Sequence, residues 1–197
     1  MIRFFTETGR LEAFSDGVLA VIITIMVLEL RPPDGTELRS LLPVLPSVAT
    51  YALSFVFIGI YWNNHHHMLR ASRGVDGRAM WANLHLLFWL SLVPFATAWL
   101  GRNPSALGPT VFYSTILMFD AIAYTMLQRA LLAVNGRDGA FAKAVGIDAK
   151  GLGSIALYLA AIGVAFVSTL ASQVILVAVA IMWIVPDRRF EPLIGKK

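Results

Sequence analysis

Six apolar stretches alternate with short segments rich in proline, glycine and arginine along the 197-residue chain. They cover about residues 11–31, 46–67, 79–101, 109–132, 152–170 and 173–186. A helix rises about 1.5 Å per residue, so about 20 apolar residues cross a hydrocarbon core about 30 Å thick. The first four stretches meet that length. The last two share one apolar run, 152–185, too long for one span and short for two. Its polar cluster "STLASQ" at 168–173 predicts a tight turn there, and one continuous tilted helix is the alternative. The connections "RPPDGTELRS", "RASRGVDGR", "GRNPSALGP" and "NGRDGAFAKAVGIDAKG" are too short to be domains. The pattern predicts an all-α integral membrane protein: one domain over 1–197, with six transmembrane helices per subunit.

Composition agrees with that pattern. Hydrophobic residues make up 57% of the chain, charged residues 14%, and the mean hydropathy is +0.70. A soluble protein of this size has no way to hide so much apolar surface. The start, "MIRFFTETGR", lacks the apolar core and cleavage site of a signal peptide, so the first stretch is expected to be a retained span. With the N-terminus in the cytoplasm, all of the 16 Lys and Arg residues except Arg31, Arg39 and Arg102 fall on the cytoplasmic side. Both termini are therefore expected inside, in a multi-pass protein of the cell (inner) membrane. No basic groove with interleaved aromatics is visible, which argues against a nucleic-acid partner. The absence of cysteine excludes disulfides and thiolate metal sites.

Candidate chemistry gathers at one membrane level. Arg10, Phe14, Ser15 and Asp16 open the first span, "YWNNHHHMLR" closes the second, and "GRAMWANLH" opens the third. A carboxylate at membrane depth is costly and needs a partner. Those within reach of Asp16 are Trp62, Asn63, Asn64, one of His65, His66 and His67, or Asn83. Such a cluster fixes helix packing, takes part in gating or ion entry, or senses protons through a histidine. Consecutive helical residues point in different directions, so the three histidines do not converge on one ion. Only His85 and carboxylates remain to complete a zinc site, and no metal or other cofactor is expected. GxSxG, HExxH and P-loop motifs are missing, and a serine directly followed by its aspartate cannot hold a histidine between them. No enzyme is expected. Val21, Thr24, Ile25 and Leu28 fall at i, i+3, i+4 and i+7 on one helix face, with Ala20, Ile23 and Val27 on neighbouring faces. Every face of this helix is apolar, so periodicity alone leaves its orientation open. Asp120 lies near the middle of span four. It is either a hydrogen-bonded packing residue or part of a proton path, and the latter motivates an alternative function: a proton-coupled carrier or proton-conducting protein using Asp16, Asp120 and a histidine.

"RLEAFSDG" resembles the Arg-x-x-x-Phe-Ser-Asp signature of the prokaryotic relatives of transmembrane protein 175, the endolysosomal potassium channel. "TIMVLEL", "YWNNHH" and "WANLHLLFWLSLVPFATAWLG" extend the likeness over about residues 10–101, and the remainder is similar mainly in topology. The extra glycines of "SRGVDGR" depart from the pattern and bear on that loop's structure. The resemblance implies a homotetramer in the lipid bilayer whose four first helices line a central pore. It also implies potassium permeation in preference to sodium through an apolar constriction. Carried over by spacing from Asp16, the constriction falls on Val21, Ile25 and Leu28, with Thr24 as the nearby hydroxyl. Arg10, Phe14, Ser15 and Asp16 would brace the pore helix against Trp62, His65, His66 and Asn83. An apolar ring offers an ion no replacement ligands, so selectivity would come from partial dehydration or from Thr24. Glu29 and Glu12, near the two ends of the helix, either concentrate cations or are inert surface carboxylates.

Overall fold

The computed structural model describes residues 8–136, 139–146 and 148–184, all of them helical or in short connections apart from an isolated bridge residue at Val75. The helices are α1 (Thr8–Leu28), α2 (Leu45–Ala71), α3 (Gly77–Leu90), α4 (Val93–Arg102), α5 (Leu107–Asn135), α6 (Ala140–Val145), α7 (Ala149–Ala165) and α8 (Thr169–Ile184), with a 3-10 helix over Leu38–Val44 leading into α2. Among the described residues four paths are long and apolar enough to cross a membrane: α1, the 3-10 helix with α2, α3 with α4, and α5. Helices α7 and α8 are apolar but shorter, at 17 and 16 residues. Arg3, Arg137, Arg188, Arg189, Lys196 and Lys197, used in assigning the cytoplasmic side, lie outside the described residues, as do both termini and the expected helix end at Pro186.

The expected boundaries shift where proline and capping chemistry act. Helix α1 stops at Leu28 rather than at 31, because Pro32 and Pro33 lack the N–H groups that would bond the carbonyls of residues 28 and 29. The third stretch is two helices, not one. Pro94 sits in the first turn of α4 and breaks the path at Ser91–Leu92, although Ser91 N–H still bonds Leu87 O at 2.9 Å. The final turn lies at Phe166–Ser168, ahead of the expected 168–173. There Ser168 Oγ accepts from Ala171 N–H at 3.2 Å, so the polar residues after it enter α8 instead of forming the loop. The single tilted helix is thereby excluded. Asp76 caps α3 through Ala79 N–H, and Asp148 caps α7 through Gly151 N–H.

Helix α5 packs against α3, α4 and α7, while α2 packs against α1, α4 and α8. Tyr113, Phe57, Leu117 and Ile58 lie wholly buried between them. Within this apolar centre Thr97 Oγ1 lies 2.7 Å from Ser54 Oγ, which in turn lies 2.8 Å from Tyr113 Oη, tying α4, α2 and α5 together. Met26 of α1 rests against the same cluster, its Sδ 3.9 Å from Thr97 Oγ1. Helices α4 and α2 meet closely at Gly101, where a Cβ would stand 2.9 Å from Ser47 Cα, a backbone atom unable to yield. Gly59 has nothing within 4 Å of the same position. Gly101→Ala should therefore lower stability by about 1–3 kcal/mol through overpacking, with Gly59→Ala neutral or better. Thermal unfolding of both variants in detergent measures the difference. Equal stabilities would remove the close approach as a constraint.

Candidate functional site

Helix α1 divides into two faces. Leu11, Ser15, Leu19, Ile22 and Met26 recur every three or four residues and are buried against α2, α3 and α4. The far side is open: Val21, Ile25 and Leu28 are 54%, 44% and 79% exposed, against 2%, 3% and 1% for Leu19, Ile22 and Met26. Ala13, Phe14, Gly17, Ala20, Thr24 and Val27 share this exposed arc, whereas Ile23 is half-buried and packs against the core. Thr24 Oγ1 donates to Val21 O at 2.9 Å, which leaves its lone pairs facing outward. A groove of about 1050 Å³ runs between α1 and α4, lined by Val21, Ile25, Pro94, Phe95 and Trp99, with Glu29 and Arg102 also on its wall.

The polar start of α1 is bound in two layers. In the buried layer Ser15 Oγ donates to Leu11 O at 2.8 Å and accepts from Asn83 Nδ2 at 3.0 Å. Asn83 Oδ1 is then an acceptor, and His65 Nε2 lies 2.7 Å away, so Nε2 carries the proton. His65 Nδ1 is left as a buried lone pair without a partner among the described residues. Ser15, Asn83 and His65 are all buried, so this chain joins α1, α3 and α2 out of reach of water. The outer layer is a pair of rungs between the antiparallel α1 and α2. Trp62 Nε1 donates to Asp16 Oδ1 at 3.0 Å, and His66 Nδ1 lies 2.6 Å from Glu12 Oε1. Glu12 and Asp16 are four residues apart, as are Trp62 and His66, so each pair presents one helix face to the other. The His66 ring also stacks on Trp62 with centroids 6.1 Å apart.

Asp16 thus meets Trp62 rather than a histidine, and Ser15 meets Asn83. Arg10 and Phe14 stand on the exposed side of α1, away from both layers. Asn64 bonds its own helix at Ile60 O, and His67 Nδ1 is buried without a partner among the described residues. His85 accepts from Trp89 Nε1, one turn along α3. The three consecutive histidines go to three surroundings, and among the described residues no group of three His, Cys, Asp or Glu converges as a metal site. Glu12 was not expected in the bracket, although its spacing from Asp16, matched by Trp62 and His66, was the available signal. Glu29, read as either a cation concentrator or an inert carboxylate, is paired with Arg102 at 2.9 Å. Asp120 is fully buried, and among the described residues neither carboxyl oxygen has a hydrogen-bond partner.

Comparison with known proteins places these features in a wider set. The sequence profile of the family described as "Endosomal/lysosomal potassium channel TMEM175" matches residues 10–94, which include the bracket and the exposed face of α1. A potassium channel from a Chryseobacterium species is 46% identical over 183 residues, covering 93% of this chain and 95% of that one. A potassium channel from Streptomyces collinus is 36% identical over 129 residues, covering 61% and 63%. The crystal structure of a lysosomal potassium-selective channel TMEM175 homologue from Chamaesiphon minutus superposes with a TM-score of 0.81 at 30% identity, covering 92% of this chain and 98% of that one.

The two layers predict unequal costs. Asn83→Ala strands the His65 Nε2–H in a buried site, at a cost of about 1–3 kcal/mol, and takes the donor from Ser15 Oγ, which keeps its bond to Leu11 O. Asp16→Ala removes one bond at a partly exposed edge and should cost about 0.5–1.5 kcal/mol. Unfolding in detergent should therefore place Asn83→Ala well below Asp16→Ala. The reverse order would shift the bracket's weight to the outer rungs.

Proposed function

The chain belongs to the family of the endosomal/lysosomal potassium channel TMEM175, and from that premise we propose that it is a potassium-selective cation channel of the cell membrane. Four copies assemble around a central axis, each with six membrane-crossing helices and both ends in the cytoplasm. The four α1 helices turn Val21, Ile25 and Leu28 inward as the constriction. The observation that carries this reading is the exposure of those side chains on a helix whose opposite face is buried. Exposed apolar side chains elsewhere on the subunit, such as Phe88, Leu159 and Ile181, suit lipid equally well; membership of the channel family is what supports turning the α1 stripe to an interior shared with other copies.

A narrow ring of valine, isoleucine and leucine side chains expels water and blocks ions, and slight widening restores a water column. It supplies no ligands in place of lost water, so an ion that sheds its shell more cheaply passes more easily, and potassium does so relative to sodium. Thr24 presents hydroxyl lone pairs between Val21 and Ile25 along the helix and adds the nearest polar contact. The bracket of Ser15, Asn83 and His65, with the outer rungs of Asp16 to Trp62 and Glu12 to His66, holds the rotation of α1 that keeps the stripe inward. The described parts of α7 and α8 span about 25 Å each at 1.5 Å per residue. Local thinning of the bilayer accommodates spans of that length. Potassium is the permeant ion, and the function needs no cofactor and no chemical step.

A carrier relay through Asp16, Asp120 and a histidine draws no support from the geometry. Asp16 bonds Trp62, and Asp120 has no hydrogen-bond partner, so among the described residues no hydrogen-bonded path joins them.

Ile25→Asn puts four amides into the proposed ring. Potassium current should rise and the preference for potassium over sodium should fall. Ile23→Asn, on the half-buried side, should disturb packing and leave selectivity near wild type. Reversal potentials under potassium/sodium gradients in planar bilayers decide between them. Altered selectivity in Ile23→Asn with none in Ile25→Asn would mean that α1 is rotated relative to this assignment.

A further inference from the structure

Glu29 directly follows the last residue of α1, and Arg102 ends α4. Arg102 Nη2 lies 2.9 Å from Glu29 Oε2, with both side chains about half exposed. Both line the same groove as Val21 and Ile25, and the neighbouring Leu28 is the most exposed residue of the stripe. Arg102 also sits in the last turn of α4, where the negative end of the helix dipole favours a cation, so its position does not depend on Glu29 alone. A half-exposed ion pair contributes little to stability. Its larger effect is on the field: a lone carboxylate at the end of a conduction path raises the local cation concentration, and a guanidinium held against it cancels most of that effect.

We propose that Arg102 masks Glu29 at the mouth of the conduction path, so that the pair, rather than either charge, sets the potassium concentration presented to the constriction. This rests on the reading of α1 as the pore helix. In a tetramer four carboxylates and four guanidiniums ring the mouth with no net charge. The exposed neighbours Arg31 and Asp34 are opposite in sign and unchanged in every variant below.

Single-channel potassium conductance in planar bilayers tests the masking, with KCl on the Glu29 side varied from about 20 mM to about 1 M. Electrostatic effects reach about 20 Å or more at the low end and about 3 Å at the high end. Arg102→Gln uncovers the carboxylates and should raise conductance about two-fold or more at low salt. Glu29→Gln uncovers the guanidiniums and should lower it by a similar factor. Both should converge on wild type at the high end. The exchange of Glu29→Arg with Arg102→Glu keeps the pair and should conduct like wild type throughout. Single variants that shift conductance in the same direction, or shifts that persist at about 1 M, overturn the proposal, since a merely structural pair behaves that way. Should one single variant fail to assemble, the other still carries a sign that the proposal dictates. Ile25→Asn is recorded alongside. If it alters permeation while the charge variants match wild type at every salt, only the masking fails. If it alters nothing, the pore reading fails first.

Discussion

A polar side chain inside hydrocarbon has no water to bond, so it must find a partner within the protein or draw polar groups towards it. Helix α1 begins with Glu12, Ser15 and Asp16 and is almost wholly apolar from Gly17 to Leu28. All three polar residues bond to one side, through Asn83 of α3 and through Trp62 and His66 of α2. Because a helix is rigid over this length, fixing the rotation of its first two turns fixes the rotation of the rest. The apolar residues then have no choice of face: Leu19, Ile22 and Met26 go inward, and Val21, Ile25 and Leu28 go outward. Polar satisfaction at one end thus determines which apolar side chains α1 leaves open on the subunit.

The same constraint recurs deeper in the bundle. Most hydroxyls on α2, α4, α5 and α7 bond to a carbonyl one turn back in their own helix, as Thr50, Ser54, Thr97, Thr110, Ser114 and Ser154 do. Ser54, Thr97 and Tyr113 also meet across helices, their three hydroxyl protons shared between these contacts and the two backbone carbonyls, so the middle of the bundle carries a polar contact that lipid cannot replace. Met26 touches that cluster, which connects the back of the proposed pore helix to the most buried part of the subunit. Asp120 is the exception: it is buried in α5 with no bond to either oxygen among the described residues, and the proposed conduction path makes no use of it.

The helical stretches were legible in the sequence because apolar run length is a direct measure of what a bilayer accepts. Their ends were legible only to within a few residues. Pro32, Pro33 and Pro94 remove particular N–H groups, and Ser168 caps α8, effects that a hydropathy pattern averages away. The meeting of the three polar clusters at one level followed from topology, but the partner of Asp16 did not. Six or more donors stood within reach, and only the packed register of α1 on α2 selects Trp62. Glu12 was legible in retrospect from its four-residue step to Asp16. The rotation of α1 was not legible from its residues, because each of its faces is apolar. The burial of Leu19, Ile22 and Met26 fixes which face of α1 is open, and the family resemblance supplies the choice between lipid and pore for that face.

The chain contains no cysteine, so one introduced thiol is the sole site for a thiol-reactive ion of about the size of potassium. Silver ions applied to potassium-conducting channels in a bilayer therefore test the central claim most directly, one α1 position at a time. Val21→Cys, Ile25→Cys and Leu28→Cys should lose current on silver exposure, while Leu19→Cys, Ile22→Cys and Met26→Cys should keep it. Block at the second set without block at the first, or conduction insensitive to silver at all six positions, would contradict a pore lined by this face of the first helix.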